Sequence, residues 1–154
     1  WVILAGYVGG AVLRGMLVAI IVLVISLFFT RIHLYHPWIT LTSVLLTAIV
    51  FSLAGFVNAV YAKKFDDIAI VPTFVLSPLT YLGGVFYSVN ALGTPWRQIS
   101  HANPILYMVN AFRYGLLGIS DVRIGVAFAV MLGFAIALSA IGISLLNRGV
   151  GLRS

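Results

Sequence analysis

Few side chains in this sequence could do chemistry, and their spacing limits what that chemistry is. His33 and His36 are three apart and could share a metal ion. The simpler reading is a pair of histidines in an interfacial loop. His101 stands two residues before Asn103, where it reads as a polar interface residue ahead of a general base. Asp66 and Asp67 follow Lys63 and Lys64. Carboxylates inside a membrane relay protons, but adjacent charges at a helix end read first as a solvated cluster, or as contact with a cytoplasmic partner. Arg14 is the lone charge in a long apolar run. It either snorkels to the headgroups or serves as a pathway or interface charge.

The motifs of several enzyme classes are missing. No Gly-Lys pair occurs, so a phosphate-cradling loop of the usual ATPase kind cannot form. With no glutamate there is no His-Glu-x-x-His zinc site, and Gly-x-Ser-x-Gly is absent too. The cysteine count is zero, which removes thiol catalysis and disulfides. No catalytic, cofactor-binding or metal residue is assigned.

The elements that must position these residues are apolar helices. The chain has 154 residues, of which 62% are hydrophobic and 8% charged. Soluble domains carry about 25% charged residues, so hydrocarbon is the fitting solvent here. The net charge of +6 is spread over isolated Lys and Arg, apart from Lys63–Lys64. It forms no basic stripe and excludes nucleic acid as a partner.

Charges divide the sequence into spans. At about 1.5 Å per residue, about 20 residues cross a 30 Å core. The expected spans are 6–30, 38–62, 68–88 and 124–147. The third carries Pro72, Pro78 and Gly83–Gly84, and reads as a bent helix ending near Tyr87 or Ser88. The stretch 97–114 is too short to cross and is cut at Asn103–Pro104, so it reads as a re-entrant pair of half-helices. Small residues at helical spacing predict packing faces: Gly6 and Gly10; Ala48, Ser52, Gly55 and Ala59; Gly125, Ala129, Gly133 and Ala137. Tyr81, Tyr87, Trp96, Tyr107 and Tyr114 read as an aromatic belt, or as a gate. The tail from Arg148 to Ser154 reads as a solvated basic end.

The fold class is therefore all-α: a polytopic membrane protein of four transmembrane helices plus a re-entrant hairpin. Orientation is undecided by charge alone. Lys63, Lys64, Arg148 and Arg153 fall on one side, and Arg31, Arg97, Arg113 and Arg123 on the other. Arg14 near the headgroups would tip the balance toward cytoplasmic ends. The sequence begins with Trp1, and earlier residues of the natural protein are expected.

From Pro72 to Gly118 the sequence reads PTFVLSPLTYLGGVFYSVNALGTPWRQISHANPILYMVNAFRYGLLG. Ser77–Pro78 and Gly84–Val85–Phe86–Tyr87, followed by Asn103, Pro104, Tyr107 and Arg113, resemble the ABC-2 type permease family in order and spacing. These are the membrane subunits of bacterial ATP-binding-cassette exporters. The likeness extends over essentially the whole chain and is strongest to inner-membrane permeases of enteric bacteria. It implies a six-helix permease of which these are the last four helices, with both termini cytoplasmic. The hairpin would lie at an outer gate formed with the bent helix. A preceding part would supply two helices and the coupling helix that docks on the motor. The permease would pair with itself or a second permease, in the bacterial inner membrane. A separate ATPase subunit would hold ATP and Mg, leaving no cofactor on this chain. The rival reading is a secondary transporter or channel independent of ATP, which would want inward carboxylates or an inverted repeat. An intramembrane enzyme lacks its constellation, and an assembly factor is the remaining alternative.

Overall fold

The computed structural model describes residues 2–31 and 33–149. The described residues are helical and contain no strand. In chain order they are α1 (Val2–Phe29), α2 (Pro37–Tyr61), α3 (Phe65–Ile70), a π-helical stretch (Val71–Leu76), α4 (Ser77–Leu82), a 3-10 turn (Val89–Ala91), α5 (Thr94–His101), α6 (Pro104–Leu117) and α7 (Ile124–Asn147). The run from α3 through α4 is one helix, Phe65–Leu82. Together with α1, α2 and α7 it makes four helices long and apolar enough to cross a membrane. The basic tail beyond Gly149 lies outside the described residues.

Local sequence explains the helix boundaries. Pro37 opens α2 at a position where its missing N–H is no loss. Asn103 caps α6, its side-chain Oδ1 accepting from the Ile105 N–H at 3.0 Å. Gly118 closes α6 in the left-handed conformation, φ 71°. The bent helix stops at Leu82, about a turn and a half before the sequence expectation near Tyr87. Gly84 adopts φ 75°, which breaks the helix, and the chain from there to Ser88 turns irregularly. Conversely, α5 starts at Thr94 and α6 runs on to Leu117, so the hairpin is longer than 97–114.

The centre of the fold is α2, which packs against α1, α6 and α7, while α6 also packs on α7. The core joins Leu46, Val50, Leu53 and Phe56 of α2 to Leu4, Met108, Ala111, Ala127, Met131 and Ala135. In lipid there is little hydrophobic gain from bringing helices together, so fit and small side chains decide which faces meet. The α2 stripe does meet a partner: a Cβ on Gly15 would lie 3.6 Å from that of Ala48, and Ser52 is buried. The other two meet none among the described residues. Gly6, Gly10, Gly125 and Gly133 have open space where a Cβ would stand. The face of α7 that packs is the opposite one, with Ala127, Met131, Ala135 and Gly142. Gly142 lies in that face, where Leu4 and Phe56 come within 3.4–3.6 Å of the position a Cβ would take, an ordinary contact distance.

The proline bend is supported from a neighbouring helix. Pro72 has no N–H to offer the Ile68 carbonyl four residues before it. The Asn58 side-chain amide on α2 donates to that carbonyl at 3.0 Å. Further along, the Ser77 hydroxyl donates to the Pro72 carbonyl at 3.2 Å. This predicts coupling: Asn58→Leu costs about 1 kcal/mol in the native sequence and clearly less when Pro72 is replaced by alanine. A double-mutant cycle of thermal stability in detergent reads the difference.

Candidate functional site

Polar side chains from several segments converge at the hairpin. Helix α5 holds 8 residues, about 12 Å, and α6 holds 14, about 21 Å. They meet at Asn103, which is buried. The apex reaches the level of mid-α2, since Ile105 lines the same cavity as Ala48 and Phe51. The other end of α6 meets the start of α2. There the Gly115 carbonyl accepts from the His36 N–H at 2.9 Å, and the rings of His36 and Tyr114 stack at 5.1 Å.

Three segments are laced together around this hairpin. The Asn103 amide donates to the Leu79 carbonyl of α4 at 2.5 Å. The Arg113 guanidinium donates to the Gly84 carbonyl and pairs with Asp121 at 3.5 Å. Asp121 lies in the turn between α6 and α7. Its carboxylate also accepts from the Ser88 hydroxyl at 2.7 Å and the Val89 N–H at 3.1 Å. Asn110, buried on α6, accepts from the Asp121 N–H at 2.8 Å and donates to the Leu106 carbonyl at 2.9 Å. The end of the bent helix, the hairpin and the start of α7 thus form one clasp. Tyr107 donates to the His101 carbonyl at 2.8 Å across the hairpin apex, and Tyr87 to the Tyr81 carbonyl at 2.6 Å.

Of the residues singled out from the sequence, Gly84, Asn103, Pro104, Tyr107 and Arg113 come together here. Ser77 and Pro78 sit where the π-helical stretch passes into α4, away from the clasp. Phe86 is 76% exposed beside Tyr81. At the opposite end of the bundle, Asp67 accepts from the Lys63 and Lys64 backbone N–H groups at 3.0 and 2.9 Å. It caps α3 there, and Lys63, Lys64 and Asp66 stay exposed.

Two clasp residues, Asn110 and Asp121, were not singled out by the sequence. Asn110 had a readable signal: it continues the polar stripe of Asn103, Tyr107 and Tyr114 on an otherwise apolar helix. Asp121 had none, since an aspartate between helices looks like any solvated loop charge.

Gly15 is halfway along α1 and meets Ala48, halfway along α2. Arg14 therefore lies at the level of mid-α2. Among the described residues it makes no ion pair or side-chain hydrogen bond, and it is exposed.

Comparison with known proteins agrees with this architecture. The family described as "ABC-2 type transporter" matches residues 1–117. The inner membrane transport permease YadH of Escherichia coli K12 is 55% identical over 154 residues, which cover 99% of this chain and 60% of that protein. The YadH of Shigella flexneri gives the same figures. Nodulation protein J of Rhizobium meliloti is 22% identical over 118 residues, covering 74% of this chain and 45% of that protein. The chain thus spans about three fifths of the length of the YadH relatives. No solved structure matches. With a family match over residues 1–117 and that identity along its length, the chain belongs to the ABC-2 type transporter family of membrane proteins.

Proposed function

We propose that this chain is part of the permease of an ATP-driven exporter of the bacterial inner membrane, forming half of a translocation path. The observation that carries the reading is the family match over residues 1–117, joined to a 55% identical inner membrane transport permease. The clasp supports it, because a hairpin laced to a proline-bent helix can move as one unit at a gate. In this reading the hairpin end faces the periplasm, and the C-terminus and the Lys63–Asp67 turn face the cytoplasm. A separate ATPase subunit carries ATP and Mg, and the permease works as a homodimer or with a second permease. Ser77, Pro78, Gly84, Phe86, Tyr87, Asn103, Pro104, Tyr107 and Arg113 belong to the outer gate. Lys63, Lys64, Asp66 and Asp67 are available to the motor.

The test uses the full-length protein. It is expected to co-purify with an ABC ATPase, and transport should vanish when the phosphate-binding lysine of that ATPase is replaced. Transport that follows a proton or sodium gradient and ignores ATP would overturn the proposal in favour of a secondary transporter.

A further inference from the structure

Around the two prolines of the bent helix the backbone is wound in an unusual way. Val71–Leu76 is π-helical, with α-helix before it (Phe65–Ile70) and after it (Ser77–Leu82). The Ser77 N–H reaches back five residues to the Pro72 carbonyl, and the Ser77 hydroxyl donates to the same oxygen at 3.2 Å. A π turn inside an α-helix is rare and is found mostly at functional sites. In geometry it is equivalent to one residue added to the helix.

That added residue sets which side of α4 meets the hairpin. Were Val71–Leu76 to wind as α-helix, everything after it would turn by about 100° and shift by about 1.5 Å, one residue's step. Leu82 would then stand where Gly83 stands now. Gly83 is buried, and a Cβ there would come within 2.8 Å of the Ile105 Cγ2 on α6. A leucine does not fit that gap, so the hairpin would have to leave α4. The Leu79 carbonyl, which accepts from the Asn103 amide in the present register, would turn away from it. The π register and the seated hairpin therefore require each other.

The two registers make similar bonds. An N–H at Pro78 would serve Phe74 in the α register and Thr73 in the π register, and proline withholds it from both. The Ser77 hydroxyl can follow the change, since serine and threonine in an α-helix donate to the carbonyl four residues back, as Ser52 and Thr80 do here. The bond from Asn58 to the Ile68 carbonyl lies before the π stretch and is the same in either register. We propose that Val71–Leu76 is a register switch for the hairpin: wound as π it seats α6 against α4, and wound as α it turns α4 and releases the hairpin. The switch rests on the transport reading above for its purpose, and its test needs no transport.

The test measures distances between spin labels in the full-length protein in nanodiscs. The labels sit on introduced cysteines, and residues 1–154 supply none of their own. Tyr81→Cys marks α4. It is paired with Trp38→Cys on α2 and, in a second protein, with Ile136→Cys on α7, all exposed positions. A 100° turn carries a side-chain tip at about 5 Å radius through about 8 Å. With the clasp intact, each pair is expected to give a single distance. Arg113→Ala loosens the hairpin and should add a second distance, shifted by several ångströms in at least one pair. Adding Ser77→Ala should enlarge that second population, because the hydroxyl holds the π turn. Deleting Phe74 removes the surplus residue, so α4 keeps its present face with no π turn left to unwind. In the Arg113→Ala background this deletion should restore the single distance. A second distance that survives the deletion overturns the switch. So does an Arg113→Ala protein with one broadened distance only, or a shortened protein that does not fold. Co-purification with the ATPase, measured on the native protein, reports separately on the transport reading.

Discussion

Replacing Gly115 with alanine is expected to unseat α6 from α2 and to give the largest loss of folded protein of any glycine-to-alanine change among the described residues. A Cβ at 115 would stand 2.3 Å from the Thr40 hydroxyl, 2.7 Å from the Thr40 nitrogen and 2.9 Å from its Cα. Two of those three atoms are backbone, so no rotamer change relieves the contact. Overpacking commonly costs about 1–3 kcal/mol, and with helix backbone as the obstacle about 3 kcal/mol or more is expected. The same shift would break the bond from the His36 N–H to the Gly115 carbonyl. Thermal unfolding in detergent checks the size of the effect. Thr40→Ala should fail to rescue Gly115→Ala, because the backbone contacts persist. Rescue would show that the hydroxyl alone sets the helix spacing. By contrast, Gly10→Ala should be neutral, as nothing stands near its Cβ position.

Asp121→Ala is the second large effect. The carboxylate is partly buried, with 13% of its side chain exposed, and Arg113 with 20%. Removing it leaves the guanidinium without its ion pair, and the Ser88 hydroxyl and Val89 N–H without an acceptor. Breaking one side of a buried pair costs about 3–5 kcal/mol, and the lower figure fits a pair that retains some solvent. Asp121→Asn keeps an oxygen to accept from Ser88 or Val89 and should lose less. Arg113→Ala should resemble Asp121→Ala, and the double variant should cost less than the two singles added together. Additive losses would mean the two residues act independently, and the clasp would then not be a unit. The transport proposed for the full-length protein should fall in step with clasp stability.

These two sites differ in how well the sequence announces them. Arg113 is visible as a charge closing a stretch too short to cross the membrane, and Asn103–Pro104 as a break in its middle. Asn103 becomes the cap of α6 and a donor to α4, roles that its type and place before proline foreshadow. Gly115 is one of several glycines in apolar sequence, and nothing local separates it from Gly125 or Gly133, which pack against nothing here. The difference lies in where α2 crosses α6. The same holds for the α7 stripe: Gly125, Ala129, Gly133 and Ala137 share a face, yet Ala127 and Met131 on the other side are the buried ones. Spacing tells which residues share a face. It does not tell which of two apolar faces finds a complementary neighbour.

By itself the sequence determined the fold class, the number of long apolar helices, the half-helix break at Asn103 and the lack of familiar catalytic motifs. Each of these follows from composition or from spacing along a helix, where backbone bonding is local. Only the tertiary structure decided that Asp121 joins the clasp, that Asn58 serves the carbonyl Pro72 leaves free, and that Arg14 lies at the level of mid-α2. Those are relations between segments far apart in the chain. They depend on the heights at which helices of near-equal length settle beside one another, which no local pattern records.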